Sequence, residues 1–197
     1  MNTFDTTYWE GRYQRQQTQW DAGSITTPLQ TYFDGLHDRT WRILIPGAGN
    51  SYEAGYLHER GFLNVYLCDV APTPLENFQR RHPDFPPEHL LHQNFFDLTG
   101  GAYDLIVEQT FFCALAPALR PDYAAQMHRL LKPGGRLVGL LFDAPLNQDH
   151  PPFGGDRTEY LTYFEGLFEV HTFERAHNSI PPRAGRELFV DLRRPVA

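Results

Sequence analysis

Short apolar runs alternate with longer amphipathic stretches along most of the chain. Runs of the first kind, rich in Val, Ile, Leu and aromatics, predict strands at Arg42–Ile45, Asn64–Leu67, Leu90–Gln93, Tyr103–Glu108 and Arg136–Phe142. Between them the spacing predicts helices at Ser51–Arg60, Pro74–Arg80 and Pro121–Leu131. Upstream, Thr7–Gln17 and Thr26–Leu36 also read as helices. The second starts on Thr27-Pro28 and sets Leu29, Tyr32, Phe33 and Leu36 on one face. Two later strands are expected at Glu169–Arg175 and Arg186–Leu192, and Leu131-Lys132-Pro133-Gly134-Gly135 reads as a helix stop and turn. Segments Arg81–His89 and Ala144–Thr158, rich in Pro, Gly and His, read as loops; the second is long enough to be a lid or an insert. Strands alternating with helices predict right-handed crossovers and a parallel sheet.

Composition narrows the class. The 197 residues fit one domain, 1–197, able to bury roughly two-thirds of its unfolded surface. Seventeen Lys and Arg against 24 Asp and Glu give a net charge of −7, with no basic run, which argues against a nucleic-acid partner. No apolar run approaches the roughly 20 residues that span a bilayer, and no apolar leader follows Met1. Cys68 and Cys113, both in apolar surroundings, suit reduced thiols and a cytoplasmic location. No metal-ligand cluster stands out.

The chemistry concentrates between Arg42 and Val70. A strand breaks into Pro46-Gly47-Ala48-Gly49, a helix follows, and a second strand ends on Cys68-Asp69. Glycines after a strand allow a sharp turn and close approach of a ligand to the backbone, with free N–H groups at the next helix start. An acid at the end of the second strand accepts ribose hydroxyls. Tyr52 stands where the third glycine of a dinucleotide fingerprint belongs, which favours a nucleoside ligand without a pyrophosphate. The competing reading makes Gly47 and Gly49 turn residues only, and Asp69 a helix cap.

The chain resembles the class I S-adenosylmethionine-dependent methyltransferases, and within them the thiopurine S-methyltransferase family, on its halide/thiol methyltransferase branch. The resemblance rests on "YWEGRYQRQQTQWDAG", "IPGAGNSYEAGYLHERGF", "CDVAPTPLENF", "NFFDL", "FFCALAPALRPDYAAQMHRLLKPGGRL" and "DHPPFGGDRTEY", which together span nearly the whole chain. It implies a Rossmann-like three-layer α/β/α sandwich around a mostly parallel seven-stranded sheet, with residues 1–40 as a helical lid over the cofactor. It also implies S-adenosylmethionine as cofactor and S-adenosylhomocysteine as product. Trp9, Tyr13 and Trp20 match aromatics that close over the cofactor, although core packing would also account for them. Gly47 and Gly49 match the backbone cradle, Asp69 the ribose acid, Asn94 and Phe95 the adenine pair, and Gln109 a residue facing the methionine end. Glu53 matches an acid after the glycine loop, or serves simply as a first-turn charge.

Phe111, Phe112, Phe153 and Tyr160 are the aromatics expected to wall the acceptor. Two departures from the family pattern matter. Ala48 replaces a cysteine often seen between the glycines. Glu108-Gln109-Thr110 stands where the animal thiopurine enzymes carry Trp-Asp-Arg, so a bulky anionic thiopurine is disfavoured. Cys113 reads as a small buried thiol, and His150 either as an acceptor-side group or as a surface histidine.

A methyl sulfonium is already activated, so a soft anion needs alignment and loss of water more than a base. The expectation is methyl transfer to a small thiol, hydrosulfide, thiocyanate or halide, with a pH profile flat for thiocyanate or iodide. A cofactor-binding pseudoenzyme and an NAD(P)-dependent oxidoreductase are the alternatives. The second lacks the third glycine and a Tyr-Xaa-Xaa-Xaa-Lys pair; Lys132 is the only lysine.

Overall fold

The computed structural model describes residues 4–196. The seven strands form one sheet in the order β3-β2-β1-β4-β5-β7-β6, and the chain divides into two compact units, Met1–Leu98 and Thr99–Ala197.

The first unit carries α1 (Thr6–Gln14), α2 (Thr27–Asp34), β1 (Ile43–Pro46), α3 (Tyr52–Glu59), β2 (Val65–Asp69), α4 (Pro72–Arg81) and β3 (Leu90–His92). Its strands are parallel: Ile43 lies opposite Val65, and Leu67 opposite Leu90. All four residues of β1 are buried, as a strand covered on both faces requires. Leu29, Phe33, Leu57, Phe78 and Phe85 complete the core around it. Helix α4 opens on Pro72, whose missing N–H costs nothing there, and closes on Arg80 and Arg81 beside its negative end.

No residue of helix α1 is fully buried, and polar contacts add to the packing of Trp9 and Tyr13 against Trp20 in holding it. Asp5 caps it, accepting from the Tyr8 N–H at 3.1 Å. Glu10 then accepts from the Thr73 N–H at 3.1 Å and from its hydroxyl. A carboxylate is thus seated on the positive end of α4.

The second unit carries β4 (Tyr103–Gln109), α5 (Arg120–Leu130), β5 (Leu131–Phe142), α6 (Arg157–Phe164), β6 (Glu169–Arg175) and β7 (Glu187–Arg193). β4 and β5 are parallel, whereas β7 runs antiparallel to both β5 and β6. Two features correct the sequence reading. The Leu131–Gly135 stretch is no separate turn, because β5 starts at Leu131. Tyr103 pairs with Leu131 and Leu105 already with Arg136, so the extra residues bulge out of the ladder, and the Gly134 N–H bonds to Arg194 O at 2.9 Å. Helix α6 begins within the segment expected to be a loop. Asp156 caps it by accepting from the Glu159 N–H at 2.9 Å, which starts the helix directly after Gly154-Gly155.

Candidate active site

In the first unit the strand ends gather the nucleoside-binding candidates. Gly47 and Gly49 both adopt left-handed backbone, at φ of 57° and 53°. A Cβ on Gly49 would sit 3.1 Å from the Tyr13 hydroxyl, so a side chain there meets α1 as well as backbone strain. The Gly49 N–H donates to Asp69 Oδ2 and the Ala71 N–H to Oδ1, each at 2.9 Å. Asp69 is therefore both the glycine-loop anchor and the acceptor that fixes the turn leading into α4. The Val70 N–H adds a third backbone donor, so of the roughly four acceptor sites of a carboxylate about one remains for a ribose hydroxyl. Burial pushes its carboxyl up, against the pull of the backbone N–H groups.

The N-terminal aromatics converge on the same loop. Trp20 meets Trp9 and Tyr13 edge-on, with ring centroids 5.5 and 5.6 Å apart. Burial, and then the charge of Asp69, raise the Tyr13 phenol far above its usual value, keeping it neutral. Asp21 ties this segment down. It accepts from the Gly23 N–H at 2.7 Å, from the Asn50 amide and from the Tyr52 hydroxyl. This accounts physically for the Trp-Asp-Xaa-Gly pattern.

Asn94 is exposed and its Oδ1 accepts from the Phe96 N–H at 3.0 Å, capping a short turn beyond β3. Phe95 is buried in the core of this unit. Glu53 is buried in the first turn of α3 rather than solvated.

In the second unit, Gln109 closes β4 half-buried, and Thr110 comes next with φ of 58°, a conformation unusual for a β-branched residue. Phe111 is half-buried. Phe112, Phe153 and Tyr160 are only 1–3 % exposed and pack into the core of the unit, with Phe112 edge-on to Tyr160 at 5.1 Å. The Phe153 N–H donates to Cys113 O at 2.7 Å, fastening the 144–158 segment to the turn after β4. Burial pushes the Cys113 thiol up to about 12, so it is inert. His150 is exposed and pairs with neighbouring Asp149.

Several residues here escaped the sequence reading. Asn50 Oδ1 and Ser51 Oγ are buried without a hydrogen-bond partner, directly after the glycines. Arg120 is 1 % exposed and turned inward, onto Glu159 Oε1 at 2.7 Å and Gly154 O at 2.8 Å, with its guanidinium over Phe112 and Tyr160. Glu108 is equally buried and bonded to Tyr123. A carboxylate ending the apolar run "YDLIVEQ" was the available signal for Glu108. For Asn50 it was the position beside Gly49.

These observations fit S-adenosylmethionine. Asp69 retains acceptor capacity for the ribose. Orphaned Asn50 Oδ1 offers an acceptor for an ammonium, and the cluster of Trp9, Tyr13 and Trp20, where the Arg12 guanidinium already lies over the Trp20 ring, suits a cation such as a sulfonium. A strand, a glycine turn, a helix and an acid-ended strand in a mostly parallel sheet flanked by helices define an S-adenosylmethionine-dependent methyltransferase of Rossmann-like fold.

Comparison with known proteins agrees. The Burkholderia thailandensis 1,6-didemethyltoxoflavin-N1-methyltransferase, solved with S-adenosylhomocysteine, superposes with a TM-score of 0.77 at 18 % identity, covering 96 % of this chain and 87 % of that one. The family model for thiopurine S-methyltransferase matches residues 4–189, and the chain belongs to that family. A probable thiol methyltransferase 2 from Arabidopsis thaliana is 29 % identical over 91 % of this chain and 81 % of its own length. The thiocyanate methyltransferase 1 of the same plant is 27 % identical over the same shares.

Proposed function

We propose that the protein transfers the methyl group of S-adenosylmethionine to a small, soft nucleophile: a thiol, hydrosulfide, thiocyanate or halide. The observation that carries this reading is the turn after β4. Its half-buried members are Gln109, Thr110 and Phe111, and behind them stand Phe112, Phe153 and Tyr160, 1–3 % exposed. Such a dry aromatic wall weakens hydration of a soft anion and favours its attack, whereas an oxygen nucleophile still needs a base. The Arg120 guanidinium is turned onto Glu159 and Gly154 O with its charge paired, so it is not presented as a free cation to a large anionic acid. The names of the two plant relatives point the same way.

The bound cofactor supplies a methyl on a sulfonium with a neutral thioether as leaving group. Asp69 holds the ribose, Gly47 and Gly49 cradle the chain, and Asn94 and Phe95 receive the adenine. Gln109 faces the methionine end. Trp9, Tyr13 and Trp20 shield the sulfonium, with residues 1–40 acting as a lid on a single methyltransferase domain. The first three of those residues lie outside the described ones. Among the described residues no helix is long and apolar enough to cross a membrane, and two free cysteines suit a reducing cytoplasm.

The test is isothermal titration with S-adenosylhomocysteine and NAD(H), then a matched panel of thiols, thiocyanate, iodide, catechols and carboxylates read by mass spectrometry. Turnover of thiols or thiocyanate is expected. A catechol or carboxylate turned over fastest refutes the acceptor class, and cofactor binding with no turnover at all marks a pseudoenzyme.

A further inference from the structure

Glu108 lies near the end of β4 with its carboxylate 1 % exposed. Its Oε1 accepts two backbone N–H groups, from Phe111 at 2.8 Å and Phe112 at 3.0 Å, and its Oε2 accepts the Tyr123 hydroxyl at 2.6 Å. No cation stands among these partners. A buried carboxylate without a counter-ion is costly, and a turn that only needed capping would be served by a neutral side chain. The cost is borne at a strained place. Thr110 sits at φ of 58°, with its hydroxyl on Gln109 O at 2.7 Å and its own carbonyl accepting from the Cys113 thiol. Opposite Glu108 on β5 is Gly139, where a Cβ would come within 2.2 Å of Glu108 O and 2.4 Å of its Cβ. The strand end is seated as closely as backbone allows, and the carboxylate fixes the turn beyond it.

We propose that Glu108 is a positioning residue for methyl transfer: through the Phe111 and Phe112 N–H groups it holds the Gln109–Phe112 turn in the strained conformation that aligns the acceptor. This rests on the reading that the turn faces the acceptor. Burial pushes the Glu108 carboxyl up to about 7, so its charge, and the strength of the two charge-assisted bonds, change near neutral pH. The titratable groups set against it are Tyr123 on α5, raised well above its usual value, and the Cys113 thiol; β5 presents only Gly139. Neither titrates near 7, so within this cluster Glu108 is the group that changes charge, and the comparison with Glu108→Gln isolates it. A flat profile, expected from thiocyanate chemistry alone, gives way to one that falls below pH about 7.

The experiment compares full-length wild type with Glu108→Gln, which keeps the size and an acceptor oxygen but cannot ionise; Tyr123→Phe is the milder second variant. With thiocyanate, or another acceptor the panel turns over that does not itself ionise near neutral pH, kcat at pH 8 should fall tenfold or more in Glu108→Gln. The dissociation constant of S-adenosylhomocysteine should stay within twofold. The wild-type loss of kcat on acidification should vanish in the variant, and Tyr123→Phe should fall in the same direction by less. An unchanged kcat, a wild-type rise on acidification, or an equal loss of cofactor affinity overturns the positioning role. No turnover of any acceptor by wild type refutes the acceptor reading itself, and this proposal with it.

Discussion

The Gly49 N–H donates to Asp69 Oδ2 at 2.9 Å, joining two residues 20 positions apart. One carboxylate thereby holds the glycine turn, fixes the tight turn that leads into α4 through the Ala71 N–H, and keeps acceptor capacity for a ligand. The helix-cap reading of Asp69 gives way to a tight turn before the helix: the cap position of α4 is Ala71, whose own N–H Asp69 accepts, and no side chain at that position caps α4.

Asp69→Ala should therefore weaken S-adenosylhomocysteine binding by about 1–3 kcal/mol and also lower thermal stability, since two backbone donors lose their acceptor. Asp69→Asn separates the effects: its carbonyl can keep one N–H bond while ribose binding still weakens. Calorimetric titration together with thermal melts of both variants checks this. Unchanged affinity in folded variants would leave Asp69 a structural residue only.

Helix α1 is tied to the N-terminus of α4 by Glu10 and Thr73, and none of its residues is fully buried. Glu10→Ala should free it at a cost of about 1 kcal/mol in local ordering. Cofactor affinity should fall several-fold, and protease cleavage near Gln16–Gln19 should speed up. Saturating S-adenosylhomocysteine should quench the fluorescence of Trp9 and Trp20 in wild type and less so in the variant. Equal affinity and equal proteolysis would mean that α1 does not act as a lid.

Periodicity carried most of the fold: the buried parallel strands β1, β2 and β4 read as continuous apolar runs and lie within two residues of the expected bounds, and the antiparallel pair β6 and β7 is found at Glu169–Arg175 and Glu187–Arg193, within one residue of expectation. Helix α6 was obscure because Pro151, Pro152, Gly154 and Gly155 precede it and mark a loop; the Asp156 cap and Glu159 were the overlooked signal. The nucleoside side was legible through Gly47, Gly49 and Asp69, whose spacing encodes the turn and the strand end. The acceptor side was not. Arg120 looks like a surface charge in a string of letters, Glu108 shows only as a carboxylate near the end of an apolar run, and three-dimensional packing turns both inward.

Asp156→Ala removes the acceptor of the Glu159 N–H and should destabilise the protein by about 0.5–2 kcal/mol. Glu159 on α6 also holds Arg120, so fraying there loosens the ion pair behind Phe112 and Tyr160. Acceptor KM should rise with cofactor affinity unchanged, whereas Asp156→Ser should restore both stability and KM. Chemical denaturation and steady-state kinetics on the three proteins decide it. A stability loss with unchanged KM would detach α6 from the acceptor side.

Glu108 gives the protein a pH-dependent stability with a defined sign. Its folded carboxyl is raised from 4.5 to about 7, so between these values the folded protein holds a proton that the unfolded chain has released. Stability from this group is complete below pH 4.5, declines as pH rises through the window, and is gone above about 7. The gap corresponds to about 3 kcal/mol as an upper figure. Burial raises the carboxyls of Asp69, Glu187 and Asp191 in the same direction, so the wild-type curve alone does not single out Glu108. The difference between wild type and Glu108→Gln does, because the variant has lost only this proton. Relative to wild type, Glu108→Gln should gain up to about 3 kcal/mol between pH 5 and pH 8, several degrees in Tm for a chain of this length. Whatever fixed penalty the amide incurs against Tyr123 is common to both pH values and cancels. Urea denaturation of both proteins at pH 5, 6, 7 and 8 measures it; parallel curves would show that Glu108 stays ionised throughout and that the activity profile below neutral pH has another source.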